Sequence, residues 1–404
     1  MTRKNRLIII SSISGFFMTF ALIFHWYMRR LGKAWPWTGF TFDPAPAELF
    51  KDFLYIVPTH FQYLPGNPTP YRNYFPFSYT IIRFFKLIEP YSLEVALGVF
   101  LTLFTLFFIY YIWRNTRTNT DPWFAAFVTA TLTLCSYPLW FTLQRGNLEG
   151  MVFIFMGLFF ITYFDKKFMW SAFFLACATS MKATPGIFVL LFLSEKRYRE
   201  AVLFLVFAGT LTLGSLLIME GTLIANIRRF GRNLQIFNEL YAMKGHYDYG
   251  HSLFGMISYF IEMATGTRDF SLFYKLYFLI SAPIGLFIAY YLCFIEKDRF
   301  RKITLLTAIM LVLPNLSYNY KLLHIIFPLM YYINLPPAIR FDKWYCISFA
   351  LLTVPKNYRY TPFQNYPGII IDASLLIFIT IIVIVSGYKE KNNAIYPEKN
   401  RLRA

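Results

Sequence analysis

The sequence predicts an all-α polytopic membrane protein, a bundle of about twelve transmembrane helices with short amphipathic helices in the loops of one face. Of its 404 residues, 57% are hydrophobic and only 15% are charged, whereas soluble globular chains carry about 25% charged residues. Apolar runs recur along the chain, and about 20 apolar residues suffice to cross a bilayer. We expect one integral membrane domain, residues 1–404.

Six apolar runs predict single transmembrane helices. They are Leu7–Tyr27, Leu93–Trp113, Trp123–Phe141, Leu148–Phe164, Ala201–Met219 and Leu272–Ile295. Two further regions predict pairs of short helices: Phe168–Leu193, interrupted at Met181–Pro185, and Ile303–Leu335, interrupted at Pro314–Tyr318. A weaker third pair joins Trp344–Val354 to Ile369–Gly387. Because lipid cannot satisfy freed backbone groups, each interruption must be surrounded by protein or water.

The distribution of basic residues predicts the orientation. With the N-terminus in the cytoplasm, the short turns on that side are Arg114–Arg117, Asp165–Lys167, Glu195–Glu200, Glu296–Lys302 and Arg340–Lys343, followed by the tail 388–404. Basic residues of this kind mark the cytoplasmic side of a membrane protein. Two large polar loops, about 28–90 and 220–271, then share the outer face.

Charge and cysteine content narrow the function classes. The net charge is +18, but so apolar a chain leaves no basic face for nucleic acid, so cytoplasmic anchoring and anionic lipid or phosphate ligands explain it better. The four cysteines, Cys135, Cys177, Cys293 and Cys346, lie in apolar stretches without paired spacing, which predicts neither disulfides nor a metal site. No cofactor is expected, and the motifs of soluble nucleotide-binding and hydrolytic enzymes are missing from the sequence.

Candidate chemistry begins with a carboxylate in the first outer loop. Asp52, next to aromatic residues at a membrane surface, fits a general base, but also a solvated aspartate paired to Lys51 or an arginine. Asp43, before a proline, is the competitor and is more typical of a helix cap or turn. Lys182 lies about 14 residues from each cytoplasmic flank, roughly 20 Å deep. A lysine at that depth needs an anion or a cavity.

Other polar residues cluster at helix ends. Arg145, Asn147 and Glu149 occupy a tight turn that either caps two helices or forms part of a site. His251 opens an amphipathic stretch and fits a simple helix start. Tyr318, Tyr320 and Lys321 form an aromatic and cationic group, equally typical of an interfacial belt with a snorkelling lysine.

In order and spacing, these elements over about residues 1–335 resemble the GT-C superfamily of polyprenol-dependent membrane glycosyltransferases. The similarity is greatest to the bacterial branch of mannosyl- and arabinosyltransferases. The matching segments are Asp52-Phe53, Tyr71–Ser78, Arg145-Gly146-Asn147, Lys182–Pro185, Ser252–Gly255 and Tyr320–Pro328. Phe77-Ser78 stands where a second proline is expected, and the pattern assigns no place to Glu149.

The resemblance implies an inverting transfer on the outer face of the bacterial cytoplasmic membrane. A polyprenyl-monophosphate sugar would be the donor, and a hydroxyl of a cell-envelope glycan or glycolipid the acceptor. Asp52 would be the base, while Arg145, Lys182 and Lys321 would bind the donor phosphate. Asn147, His251, Tyr71, Tyr318 and Tyr320 would contact substrate. A phosphate leaving group is already acidic, so one base suffices.

Two alternatives remain open at the level of sequence. A transporter or flippase for a polyprenyl-linked lipid would also need buried cations, although no internal repeat typical of transporters is visible. An O-antigen polymerase or ligase would depend on arginines in a late outer loop, and Arg228, Arg229 and Arg232 lie in such a loop. A carboxylate in the first outer loop that activity requires would favour the GT-C glycosyltransferase over the O-antigen polymerase or ligase.

Overall fold

A computed structural model describes residues 1–32, 49–59, 74–89, 92–118, 120–245, 247, 250–337, 339–356 and 366–395. In these ranges the regular elements are helices, and the β-type pairing is one isolated bridge between Gly250 and Tyr318. The first helices are α1 (Arg3–Arg30), α2 (Lys51–Thr59), α3 (Pro76–Ile88), α4 (Leu93–Arg117), α5 (Pro122–Leu134), α6 (Tyr137–Arg145), α7 (Glu149–Phe164), α8 (Phe168–Met181) and α9 (Val189–Ser194). The later ones are α10 (Tyr198–Leu217), α11 (Leu223–Phe237), α12 (Leu253–Thr265), α13 (Ser271–Tyr290), α14 (Arg299–Val312), α15 (Ile326–Ile333), α16 (Asp342–Thr353) and α17 (Tyr366–Ile395).

Several helices are long and apolar enough to cross a bilayer. Among the described residues, five pass on length and hydropathy, namely Arg3–Arg30, Leu93–Arg117, Tyr198–Leu217, Ser271–Ile295 and Gly368–Tyr388. The bent pair α5 and α6 makes a sixth if counted as one span, and further apolar helices are shorter. The chain is therefore an all-helical polytopic membrane protein. The count of twelve spans stays a prediction.

The two main predicted interruptions are confirmed. Helix α8 ends at Met181, Lys182 is extended, and a 3₁₀ turn at Thr184–Phe188 leads into α9. Pro185 has no N–H to donate to the Met181 carbonyl four residues earlier, and its ring would clash with that carbonyl, so α8 ends at Met181. Helix α14 likewise ends before Pro314, and a 3₁₀ turn over Asn319–Ile325 leads into α15.

One predicted span differs from expectation. The run Trp123–Phe141 is not one helix, because α5 and α6 meet at 53°. Pro138 has no N–H to give to the Leu134 carbonyl, and the Trp140 indole donates to that carbonyl instead, at 2.9 Å. The weaker third pair is confirmed, since α16 covers most of its first run and α17, a continuous helix of 30 residues, contains its second run.

The predicted cytoplasmic turns gather at one end of the bundle. Arg3 donates to the Asn115 and Thr116 carbonyls at 2.9 and 2.8 Å. Arg114 pairs with Asp165 at 3.1 Å. Arg299 pairs with Glu195 at 2.8 Å and also lies against the Tyr163 ring near Asp165.

A buried arginine fastens this end. Arg6 is fully buried and bonds both oxygens of Asp342, at 2.9 and 3.0 Å. Its guanidinium also donates to the carbonyls of Leu335 and Pro336 at 2.6 and 3.0 Å. Removing one partner of such a buried pair is strongly destabilising, so this contact holds the start of α1 against α16.

The predicted outer segments meet at the opposite end. The Phe50 N–H donates to the Gln144 carbonyl at 2.6 Å, joining the first outer loop to the end of α6. The Ser78 hydroxyl donates to the Met181 carbonyl at 3.0 Å, which brings α3 to the interruption after α8. The His251 N–H donates to the Ser317 carbonyl at 2.8 Å. Five loops, turns and interruptions therefore lie at this end of the bundle.

We expect cysteine labelling to confirm this arrangement in a background without native cysteines. With a membrane-impermeant maleimide, Thr265→Cys should label in intact cells, because it lies exposed at the end of α12 in the second outer loop. Arg199→Cys, exposed near the start of α10, should label only after permeabilisation. The reverse pattern would contradict the orientation.

Candidate active site

Asp52 is held by two donors from the turn after α6. It lies in the first turn of α2. Arg145 Nη2 donates to Asp52 Oδ1 and Asn147 Nδ2 to Asp52 Oδ2, both at 2.6 Å. The side chain is 18% exposed. A carboxylate oxygen has two lone pairs, so these bonds orient Asp52 and still leave it able to accept a further proton donor.

Gly146 makes this contact possible. It ends α6 in the left-handed conformation, with φ of 60°. A Cβ atom at Gly146 would lie 2.9 Å from the Phe53 Cβ. Glycine therefore serves twice, because it adopts the positive φ without strain and lets the turn approach α2 closely. Arg145 and Asn147 flank it and thereby reach Asp52.

A second carboxylate lies behind the first. Glu149 begins α7 and is only 2% exposed. Lys182 Nζ donates to Glu149 Oε2 at 2.5 Å, and His324 Nε2 lies 2.7 Å from Glu149 Oε1. Burying a charge is costly unless it is paired, and this pairing satisfies both the glutamate and the deep lysine. Lys182 therefore faces polar groups instead of lipid, as its depth required.

Asn147 joins the two carboxylate centres. Its amide nitrogen donates to Asp52, and its amide oxygen accepts from the Glu149 N–H at 2.9 Å. Lys182 Nζ also donates to that oxygen, at 3.4 Å. One side chain thus fixes the separation between the part-exposed carboxylate and the buried ion pair.

Aromatic rings cover the lysine. The Lys182 ammonium lies 4.7 Å from the centroid of Tyr320 and 5.6 Å from that of Tyr74. Tyr320 in turn is 6.2 Å from Phe141 and 5.9 Å from Tyr318. Ring faces attract cations and also stack on apolar sugar faces, so these tyrosines give the cluster an aromatic wall.

Lys321 is the third predicted cation. Its ammonium donates to the Leu316 carbonyl at 3.3 Å, and it interacts electrostatically with Glu149 and Lys182. Among the described residues no carboxylate forms a salt bridge with it. Lys321 therefore adds positive charge near a glutamate that already has two partners.

His251 connects the outer loops from a buried position. Burial, together with the charge of Lys321, lowers the pKa of His251 to about 3, so the ring is neutral at pH 7. Ser317 Oγ lies 2.9 Å from Nε2, and Asn319 Oδ1 lies 3.5 Å from Nδ1. Asn319 Nδ2 in turn donates a hydrogen bond to the Tyr137 hydroxyl at 3.1 Å. A fully buried ring of this kind positions the loops around it. The contact of His251 with substrate stays a prediction.

The structure thus brings together most of the residues singled out from sequence. Asp52, Arg145, Asn147, Lys182 and Tyr320 form one contiguous cluster. Tyr318 adjoins it, whereas Tyr71 and Asp43 lie outside the described residues. Arg228 and Arg232 are exposed on α11. In the described ranges, no three His, Cys, Asp or Glu side chains are grouped as a metal site would need.

Three contributors were missed in the sequence. Glu149 had no assigned place, and His324 and Tyr74 were not selected. The signal for Glu149 was available, because a glutamate at the head of an apolar helix needs a buried cation, and Lys182 is such a cation. The contact of His324 with Glu149 spans 175 residues, and no local pattern reveals it.

Comparison with known proteins supplies the family. The model of glycosyltransferase family 87 matches residues 73–314, well over half of the chain. The chain belongs to glycosyltransferase family 87. It is therefore a membrane glycosyltransferase of GT-C-like type. No curated protein and no solved structure matches it.

The matched segment covers part of the cluster. Arg145, Asn147, Glu149 and Lys182 lie within residues 73–314 of this family 87 protein, whereas Asp52 precedes them. The match therefore assigns the chain to a class of enzyme and gives no information about the role of Asp52. Membership in family 87 favours an enzyme over the transporter alternative.

We predict that Gly146→Ala disrupts the contact between α2 and the turn after α6. An alanine at this position would destabilise the protein by about 1 kcal/mol through the left-handed backbone. Its Cβ atom would also displace Phe53. Gly266→Ala is the matched control, since Gly266 also ends a helix at φ of 69° but has open space around it. Thermal unfolding in detergent should show the larger loss for Gly146→Ala. Equal losses would mean that close approach to Phe53 does not matter.

We predict that Glu149→Gln leaves the Lys182 ammonium without a compensating charge. Removing one member of a buried pair costs about 3 kcal/mol or more, so the melting temperature should fall clearly. Asp165→Asn is the control, because the Asp165–Arg114 pair is about 40% exposed and exposed pairs contribute roughly 1 kcal/mol or less. A Glu149→Gln protein as stable as Asp165→Asn would refute the structural importance of the buried pair.

Proposed function

We propose that this family 87 enzyme moves a sugar from a polyprenyl-monophosphate donor to a hydroxyl of a cell-envelope glycan or glycolipid. Transfer would proceed with inversion, on the outer face of a bacterial cytoplasmic membrane. The observation that carries the proposal is a part-exposed carboxylate, Asp52, joined through one asparagine to a cluster of cations.

Asp52 is the better of two possible bases. Glu149 is nearly completely buried and already bound to Lys182 and His324, so a substrate hydroxyl cannot reach it without breaking both contacts. Asp52 is accessible and oriented by Arg145 and Asn147. In the proposed step the acceptor oxygen attacks the anomeric carbon while its proton passes to Asp52.

The cations fit the departing phosphate. When the bond between the anomeric carbon and the phosphate oxygen breaks, the electron pair leaves with the phosphate, which then carries an additional negative charge. Preorganised cations stabilise such developing charge strongly in a site that excludes water. Lys321, whose described hydrogen bond goes to the Leu316 carbonyl, and Arg145, whose guanidinium also bonds Asp52, would do so. Lys182 would contribute from behind, held by Glu149.

The aromatic wall supports a carbohydrate ligand. Tyr320 and Tyr74 lie over Lys182, and Tyr318 and Phe141 extend the wall from Tyr320. Sugar rings present apolar C–H faces that pack on such rings. A purely ionic site for phosphate would not require this wall.

We predict that Asp52→Asn lowers turnover by about 10²–10⁴-fold, the usual contribution of a positioned base. Asparagine keeps the shape and one accepting oxygen, so the protein should still fold, and its melting temperature should be measured alongside. Transfer is followed with purified enzyme and labelled polyprenyl-phosphate hexoses, with envelope glycolipids as acceptors, and product is detected by mass spectrometry.

Asp43→Asn is the control, because we assign to Asp43 at most a turn or helix cap that contributes about 1 kcal/mol to stability. An inactive Asp43→Asn enzyme beside an active Asp52→Asn enzyme would reverse the assignment of the base. Two active variants would remove both aspartates from the chemistry.

A further inference from the structure

A second polar cavity lies at the end of the bundle opposite Asp52. It has a volume of about 500 Å³. Its walls come from the turn between α9 and α10, the end of the helical segment after α13, and the start of α14. The proposed transfer reaction uses none of these residues.

Positive charge predominates in this cavity. The lining contains four cations, Arg197, Lys297, Arg299 and Lys302, and two carboxylates, Glu195 and Glu296. The excess of two positive charges favours an anionic ligand.

Both carboxylates are already bonded to arginines. Glu195 accepts from Arg197 at 3.4 Å and from Arg299 at 2.8 Å. Glu296 accepts from Arg301, which bonds both of its oxygens at 2.9 and 3.0 Å. Both carboxylates also act electrostatically on Lys302, but among the described residues neither forms a salt bridge with Lys297 or Lys302.

Lys302 is the strongest evidence for a ligand. The residue is 5% exposed, and its ammonium donates to Ser194 Oγ at 3.0 Å. No carboxylate forms a salt bridge with it in the part of the chain that the structure describes. An ammonium has three donors, and a buried charge is costly unless it is paired, whereas Glu195 and Glu296 act on Lys302 without a salt bridge. An anion in the cavity would meet both needs.

The cavity also borders an apolar surface. Phe294 lines it and is 75% exposed. Phe287 and Tyr290 precede Phe294 and are 50% and 56% exposed. In a membrane protein such side chains face lipid, so the ligand has access to the cavity from the bilayer.

We propose that this cavity binds the headgroup phosphate of an anionic phospholipid of the cytoplasmic leaflet, with its acyl chains along the Phe294 surface. Basic pockets between helices on the cytoplasmic side suit such headgroups. The exposed aromatic surface distinguishes a lipid from a soluble phosphate, which would have no use for it. The assignment is independent of the transfer reaction.

Native mass spectrometry of the full-length protein in detergent tests this proposal, with phosphatidylglycerol, phosphatidylcholine and glycerol 3-phosphate as probes. The wild-type protein should retain phosphatidylglycerol at concentrations where phosphatidylcholine dissociates. Lys297→Gln/Lys302→Gln should bind phosphatidylglycerol roughly tenfold more weakly or worse, since two cations are lost. Arg199→Gln, which removes an exposed cation of α10 outside the cavity, should bind like wild type.

A second variant distinguishes weaker lipid binding from unfolding of the protein caused by the loss of the buried Lys302. Lys297 is exposed, so Lys297→Glu should leave the melting temperature in detergent unchanged and still weaken phosphatidylglycerol binding. Equal binding by both lysine variants and wild type would overturn the proposal, as would equal retention of the two lipids. Competition by glycerol 3-phosphate at the same concentration as the lipid would overturn the assignment to a lipid.

Discussion

The buried contact between Glu149 and Lys182 is the constraint on which the outer end of the bundle depends. Neither charge can remain unpaired there, because both side chains are largely buried and a buried charge without a partner is costly. Glu149 begins α7, Lys182 directly follows α8, and His324 comes from the turn before α15. One carboxylate therefore joins three segments whose regular backbone is interrupted, and these interruptions create the space for a polar site.

Asn147 extends this constraint to the reacting group. Its oxygen faces Glu149 and Lys182, and its nitrogen faces Asp52. A shift of the ion pair would therefore move the proposed base as well. Gly146 performs the same task for the backbone, since only a glycine allows the turn to lie so close to α2. The proposed base and the proposed phosphate cations are thus positioned by a single network.

Much of the fold was predictable, because hydropathy and proline positions act locally. The apolar runs locate the helices, and Pro185 and Pro314 locate the two interruptions correctly. The bend before α6 was missed, since Pro138 lies within an otherwise apolar run and its effect depends on Trp140 satisfying the Leu134 carbonyl.

The candidate site was predictable in its residue types and only partly in its contacts. Arg145 and Lys182 were selected because charged groups near apolar helices need partners, Asp52 as a carboxylate beside aromatic residues, and Asn147 through the resemblance to the GT-C superfamily. That Arg145 pairs with Asp52 and Lys182 with Glu149, and not the reverse, depends on the geometry of chain segments up to 95 residues apart. His251 shows the same limit, since its burial among Ser317 and Asn319 is a tertiary property.

The Asp52 cluster differs from the buried pair of Arg6 and Asp342 in how its charges are compensated. At the end opposite Asp52, Arg6 and Asp342 neutralise each other and fasten helices. In the Asp52 cluster the cations Arg145, Lys182 and Lys321 outnumber the carboxylates Asp52 and Glu149. Two tyrosines also lie over Lys182. The central claim is that this cluster binds the sugar phosphate.

The most direct measurement is an electron cryomicroscopy structure of the protein in a lipid nanodisc with a non-transferable polyprenyl-phosphate sugar analogue. The account predicts density for the phosphate within hydrogen-bonding distance of Lys321 or Arg145. It also predicts the anomeric carbon beside Asp52 and the sugar ring against Tyr320. A donor phosphate bound at the opposite end near Lys302, or a sugar out of reach of Asp52, would contradict it.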